Sequence, residues 1–259
     1  MKNKVTYADL KATFPAEKRS VESIYGRIVP VRQISYWFTI PFLNIGTTAF
    51  QASVIGMFIA ILACVFIAIP NNTMRTIGVV LVPIWHIFDC VDGNIARYKK
   101  TASEFGEAVD AICGYFLPIW LSFSLGIASY NIGNNHLGLS PEWFLVFGGM
   151  GAVANAQARL VHQKYAFSAA MIERRTGEYI EKGEHQYTLS GFHRFRKMAM
   201  VELGPVGIPM FILWLCPIFN LYAELTTYYC LFYVAGLAMV TYKYLKLCSI
   251  TGKGNKDEK

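Results

Sequence analysis

The chain has 259 residues, of which 54% are hydrophobic and only 16% charged, and its mean hydropathy is +0.35. A soluble domain carries about one quarter charged residues, so the composition excludes an ordinary water-soluble globule. The net charge of +7 does not indicate a nucleic-acid partner, because Lys and Arg collect in the segments between apolar runs, as suits an anionic membrane surface.

Residues 1–27 are polar and charged, contain Pro15, and match neither a signal peptide nor a transit peptide. Ile28 to Ile45 is moderately apolar, interrupted by Pro30 and Pro41, and holds Arg32, Tyr36 and Trp37. Aromatic rings beside an arginine suit the headgroup layer, so this stretch reads as an interfacial helix. Six apolar runs follow: Phe50 to Ile69, Thr76 to Ala96, Phe105 to Ala128, Phe144 to Ala158, Val201 to Leu221 and Tyr228 to Leu247. Each approaches the ~20 residues needed to cross a hydrocarbon core of about 30 Å. The fifth is expected to kink near Pro205 and Pro209. The fourth is rich in small residues from Gly148 to Ala158, a stripe that lets helices approach closely. Cys64, Cys90, Cys113, Cys216, Cys230 and Cys248 form no CxxC pair and read as buried free thiols.

The expected fold is therefore all-α, an integral membrane bundle of six transmembrane helices preceded by an N-terminal interfacial helix. Residues 1–45 form the N-terminal segment with that helix, 46–250 the transmembrane domain, and 251–259 a basic tail. Lys and Arg are dense before the first run, at Arg97 to Lys100, from Arg159 to Lys197 and in the tail, whereas the opposite side carries only Arg75. By the positive-inside rule both termini are cytoplasmic.

The most informative stretch runs from Asp89 to Gly114. Acidic residues within membrane-like runs are expensive to bury and point by default to a functional site. Asp89 and Asp92 are three residues apart and share a helix face, with Gly93 beside them leaving room for a ligand to approach the backbone. The second and third runs, joined by a short basic turn, are expected to be antiparallel neighbours that bring Asp110 opposite Asp89 and Asp92 near the cytoplasmic surface. Three converging carboxylates call for a hard cation such as Mg²⁺, Mn²⁺ or Ca²⁺. The competing reading is an interfacial charge cluster in which the aspartates pair with Arg97, Lys99 and Lys100.

The pattern Asp89-x2-Asp92-Gly93-x2-Ala96-Arg97-x8-Gly106-x3-Asp110 resembles the signature of the CDP-alcohol phosphotransferases. These membrane enzymes transfer a substituted phosphate from a CDP-linked donor to an alcohol and release CMP. The six-helix architecture after an interfacial helix agrees with theirs. Gly46-Thr-Thr48 to Ser53 loosely matches the family's start of the first span. The resemblance implies Asp89, Asp92 and Asp110 as ligands of Mg²⁺ or Mn²⁺. It also implies Gly93, Ala96 and Gly106 around the nucleotide, and Arg97 supporting the nucleotide or the acidic cluster. It further implies a CDP-diacylglycerol or CDP-alcohol donor, a lipid or polar acceptor, a role in phospholipid or related phospho-conjugate synthesis, and a bacterial inner-membrane location. Homodimers occur among such proteins.

One position departs from the signature. Where it ends on a further aspartate, associated with deprotonating the acceptor and with a second metal, this chain has Gly114. Three readings stay open. His86, one turn before Asp89, or Glu107, on the face of Asp110, replaces the base. Alternatively, the acceptor is a phosphate or phosphonate that is already ionised. In the third reading the chain binds nucleotide or lipid without turnover. Arg159, near Asn155, Gln157 and His162 at the end of the fourth run, is a natural anchor for an acceptor phosphate. Arg194, Arg196 and Lys197 invite the same reading, while His185 and His193 have no metal-site spacing and His136 is expected on the far side of the membrane, away from the chemistry.

Overall fold

The structure is a computed structural model that describes residues 5–14, 24–177 and 199–254. Among these every regular element is helical, and six helices are long and apolar enough to cross a membrane. The molecule is an all-α membrane bundle.

Among the described residues, the N-terminal part holds three helices. Tyr7–Ala12 starts on a capping box in which the Thr6 hydroxyl accepts from the Asp9 N–H and Asp9 accepts from the Thr6 N–H; the Thr6 hydroxyl, which also donates to the exposed Asp9 carboxylate, and the Thr6 N–H hold that carboxyl below its ordinary pKa. Ile24–Ile28 follows, then the interfacial helix Val31–Asn44. Leu10 is fully buried against Tyr36, Val91 and Ile95, so the first helix is docked onto the bundle. Trp37 and Phe38, on the other side of the interfacial helix, are exposed, as a helix lying in headgroups requires.

Span 1, Ala49–Ala68, begins with a Thr48–Gln51 capping box. Span 2, Asn72–Lys99, is capped by Asn71 and stops at Lys100 in the left-handed region, φ 55°. The two pack backbone to backbone: a Cβ on Gly78 would stand 2.7 Å from the Ala63 carbonyl oxygen. Span 3 runs as Glu104–Gly114 and Phe116–Ile132, divided at Tyr115. Pro118 has no N–H to donate to the Gly114 carbonyl four residues earlier, which accounts for a break at that point. Span 1 lies against both span 2 and span 3. The first half of span 3 touches span 1 far more than span 2. The direct pairing of the second and third runs expected from their short connection is therefore corrected: span 1 bridges them.

Span 4, Glu142–Thr176, is longer than its apolar run. The sequence reading ended it at Ala158 and placed a polar segment from Arg159; the helix instead continues 18 residues further, to Thr176. This extension packs on span 6, Tyr222–Gly254, through Tyr165, Ala169 and Tyr244, and His162 hydrogen-bonds the Tyr244 hydroxyl. Part of the small-residue stripe does pack as expected: a Cβ on Gly148 would stand 3.0 Å from the Gly126 Cα, whereas one on Gly149 would meet nothing within 4 Å. Span 5, 199–219, is broken around Gly204-Pro205 and resumes as Ile208–Phe219 with Pro209 in its first turn, where the kink was expected. The cysteines are free, but Cys248 is exposed and Cys90 only half-buried, contrary to the reading of all six as buried. His185, His193, Arg194, Arg196 and Lys197 lie outside the described residues.

Candidate active site

Asp89, Asp92 and Asp110 line one cleft, together with Ser53, Gly56, Trp85, Cys113 and Gly114. Its volume is about 190 Å³ including the open mouth. Span 1 supplies Ser53 and Gly56, span 2 supplies Trp85, Asp89 and Asp92, and the first half of span 3 supplies the rest. Asp92 is 5% exposed and held at both oxygens: Ser53 Oγ donates to its Oδ2 and the Gly93 N–H to its Oδ1, both at 2.5 Å. Asp89 is half-buried, and Asp110 is exposed at the mouth.

Gly114 lies beside Asp89: a Cβ there would sit 3.5 Å from Asp89 Oδ1, at ordinary contact distance. A side chain at 114 would thus enter the cleft against Asp89, and glycine leaves that space open.

Two of the nearby cations are engaged elsewhere. Arg97 donates from Nη2 to Asn94 Oδ1 at 2.8 Å, and Lys99 donates to the Thr47 and Gly46 carbonyls at 2.8 and 3.3 Å. Lys100 is exposed at the helix end. These contacts differ from the interfacial charge cluster that the sequence left open.

Among the described residues, no three His, Cys, Asp or Glu side chains stand close enough together to form a ready metal site. The donor chemistry of the cleft nevertheless fits a hard divalent cation. Three carboxylates and a hydroxyl offer oxygen only, and Mg²⁺ commonly takes one or two carboxylates and fills its remaining positions with water and substrate phosphate. Like charges gathered in a half-buried cleft also raise one another's energy until a cation offsets them.

The remaining sequence candidates fall outside the lining. His86 stacks on Tyr25 at 6.0 Å between ring centroids and faces the N-terminal segment. The residue one turn before Asp89 on the cleft is Trp85. Glu107 is exposed and is not among the lining residues. Gly106 is also exposed, its N–H capped by Ser103 Oγ at 3.1 Å. Ala96 continues the Asp89–Asp92 stripe by one turn. Arg159 stands at the break in span 3: its guanidinium lies 4.1 Å from the centre of the Tyr115 ring, and its Nε donates to Asn155 Oδ1 at 2.9 Å. Asn155 is itself tied to the Pro118 carbonyl. His136 contacts Glu224 far from the cleft. Sequence reasoning gave no site role to Ser53, Gly56, Trp85 or Cys113; the signals for Ser53 were a lone hydroxyl in an apolar run and the loose family match from Gly46 to Ser53.

Compared with known families, residues 47–241 match the model of the CDP-alcohol phosphatidyltransferase family. A search of curated proteins finds no match.

Proposed function

The chain belongs to the CDP-alcohol phosphatidyltransferase family, and we propose on that premise that it transfers a substituted phosphate from a CDP-linked donor to an acceptor and releases CMP. The observation that carries this reading is the cleft itself, where Asp89, Asp92 and Asp110 come together from two spans over a floor supplied by a third. Asp89, Asp92 and Asp110 would hold Mg²⁺ or Mn²⁺. Such an ion, when bound, supplies positive charge for the donor's pyrophosphate and for the CMP that departs.

The chain's own groups arrange the rest. Ser53 and the Gly93 N–H fix Asp92, so one carboxylate keeps its position before substrate arrives. Ala96 presents little side chain on the carboxylate stripe, and at Gly93 the Arg97 guanidinium lies over the bare backbone, where a Cβ would meet its Nη1 at 3.0 Å. Arg97 adds positive charge on the nucleotide's side, and Arg159, set by Asn155 beside Tyr115, is the anchor for an anionic acceptor. In the transfer, an acceptor oxygen forms a bond to the phosphorus bearing the alcohol. The bond from that phosphorus to the bridging oxygen breaks, and CMP leaves with the electron pair.

A hydroxyl acceptor must also lose a proton, and among the described residues the cleft lining offers no histidine and no carboxylate beyond these three. His86 and Glu107 are not among its lining residues. An acceptor oxygen that is already ionised, as in a phosphate or phosphonate, needs none, and the space at Gly114 admits it. The products would enter phospholipid or a related phospho- or phosphono-conjugate. The site and both termini would face the cytoplasm.

The test is CMP release by purified protein with Mg²⁺ or Mn²⁺. CDP-diacylglycerol or small CDP-alcohols would be supplied against hydroxyl acceptors and against phosphate- or phosphonate-bearing acceptors. The expected result is metal-dependent CMP release that is fastest with the ionised acceptors. Gly114→Asp should slow that reaction, because it sets a fourth carboxylate against Asp89. The degenerate reading, favoured by the glycine, predicts nucleotide binding without CMP, and release appearing only in Gly114→Asp.

A further inference from the structure

Span 2 carries an arginine at the end away from the cleft. Arg75 lies in its first turn, which at 1.5 Å of rise per residue sets it about 21 Å from Asp89 along the helix. Asn71 to Met74 beside it are exposed, yet Arg75 itself is only 5% exposed. Its Nη1 donates to Asn72 Oδ1 at 2.9 Å, so the guanidinium is folded back toward the start of the helix. Nε and Nη2 form the edge away from Asn72. Nε is buried with no hydrogen-bond partner, and among the described residues Nη2 has no acceptor either.

No carboxylate offsets this charge. Among the described residues the titratable group within electrostatic range of Arg75 is the Tyr222 phenol, which opens span 6 and is 4% exposed. The acids at this end are engaged elsewhere: Glu224 Oε1 accepts from the His136 N–H and contacts its ring, and Glu142 accepts from Ser140. Asn71 caps the Met74 N–H, whereas the N–H groups before it in a first turn have no acceptor within the helix. The positive end of the helix dipole therefore adds to the guanidinium charge. A nearly buried cation is held at the helix end where a cation is least favoured, with one edge unpaired.

An anion with several acceptor oxygens relieves each of these penalties. A phosphate can grip the Nε–Nη2 edge side-on, accept from the Tyr222 hydroxyl and lie on the helix N-terminus. We propose that Arg75, Tyr222 and the first turn of span 2 form a binding site for a phosphate-class anion in the leaflet opposite the cleft. A lipid headgroup phosphate and a free phosphate share this chemistry. The site requires binding only, so it stands or falls independently of CMP release.

The test uses the full chain, labelled with ¹⁵N-arginine, in dodecyl maltoside micelles and phosphate-free buffer. EDTA is present so that divalent cations in the carboxylate cleft play no part. The NMR signal of the Arg75 Nε–H is identified by its loss in Arg75→Gln, or in Arg75→Lys should the first variant not fold. Dioctanoyl phosphatidic acid and inorganic phosphate are titrated separately, with dioctanoylglycerol as the lipid lacking phosphate. The expected result is a saturable shift of the Arg75 signal with a phosphate-bearing probe and none with dioctanoylglycerol. A shift with phosphatidic acid alone assigns a lipid headgroup; a shift with inorganic phosphate as well assigns a site open to soluble anions. Either supports the site. Tyr222→Phe, which removes only the hydroxyl, should weaken binding about tenfold at the same signal, the scale of a lost charge-assisted hydrogen bond. A signal that neither phosphate probe moves, one that dioctanoylglycerol moves equally, or unchanged affinity in Tyr222→Phe overturns the proposal.

Discussion

At the residue scale, Asp92 is the carboxylate of the cleft that Ser53 and the Gly93 N–H anchor. Ser53 holds Asp92 by a short hydrogen bond between side chains 39 positions apart. A hydrogen bond to a charged group contributes about 1.5–3 kcal/mol. Ser53→Ala should therefore lower kcat/KM for CMP release roughly tenfold or more, while Ser53→Thr, which keeps the hydroxyl, should recover most of it; steady-state kinetics on the pair checks this. The three aspartates were legible in the sequence because acids in apolar runs stand out. The identity of their neighbours was not. His86 and Trp85 are consecutive, and one residue of helix rotates a side chain by about 100°. That single step separates the cleft from the face covered by Tyr25. The sequence named the residue with the chemistry, and the helix phase put the tryptophan in its place.

At the element scale, glycines decide how closely helices approach, and they are not equivalent. Gly148 stands where a Cβ would crowd the Ser122 carbonyl at 2.9 Å and the Gly126 Cα at 3.0 Å; Gly149 has open space. Overpacking of a fitted contact costs about 1–3 kcal/mol. Gly148→Ala should lower the melting temperature measurably and Gly149→Ala should leave it unchanged or raise it, as a thermal-shift comparison would show. Their sequence neighbourhood reads as one small-residue stripe, and only the packed partner distinguishes them. The extension of span 4 to Thr176 was hidden for a related reason. Hydropathy reports lipid contact, whereas Tyr165 and Ala169 are buried against Tyr244 of span 6, so this part of the helix is held by protein rather than by lipid. The break in span 3 could have been read from Pro118 four residues after Gly114; the break in span 5 was read from its prolines.

At the scale of the whole molecule, the six spans, the interfacial helix and the cleft form one mechanical unit. The interfacial helix is joined to span 2 through Asn94, and the loop that follows it through Lys99, so the N-terminal segment and the carboxylate stripe are positioned together. The span number was legible because apolar runs of bilayer length have few alternatives. The order of packing was not, because a short connection between spans 2 and 3 suggests adjacency and says nothing of span 1 lying against both. The orientation rests on the distribution of Lys and Arg. Cys248 is exposed near the C-terminal end. It should react with a membrane-impermeant maleimide in inside-out vesicles, together with Lys100→Cys, whereas Asn134→Cys should react in right-side-out vesicles. The opposite pattern would place the cleft on the outer face and remove a cytoplasmic supply of CDP-linked donor.

The central claim is that the cleft of Asp89, Asp92 and Asp110 carries metal-dependent release of CMP. It is tested most directly by measuring Mn²⁺-dependent CMP release in Asp89→Asn, Asp92→Asn, Asp110→Asn and Glu107→Gln beside wild type, in one membrane preparation with one donor. The account predicts loss of about a hundredfold or more in each of the three aspartate variants, in keeping with removal of a group acting at the transition state. It predicts near-normal release in Glu107→Gln, whose carboxyl lies outside the cleft lining. Wild-type release in the three aspartate variants, or its loss in Glu107→Gln alone, would contradict it.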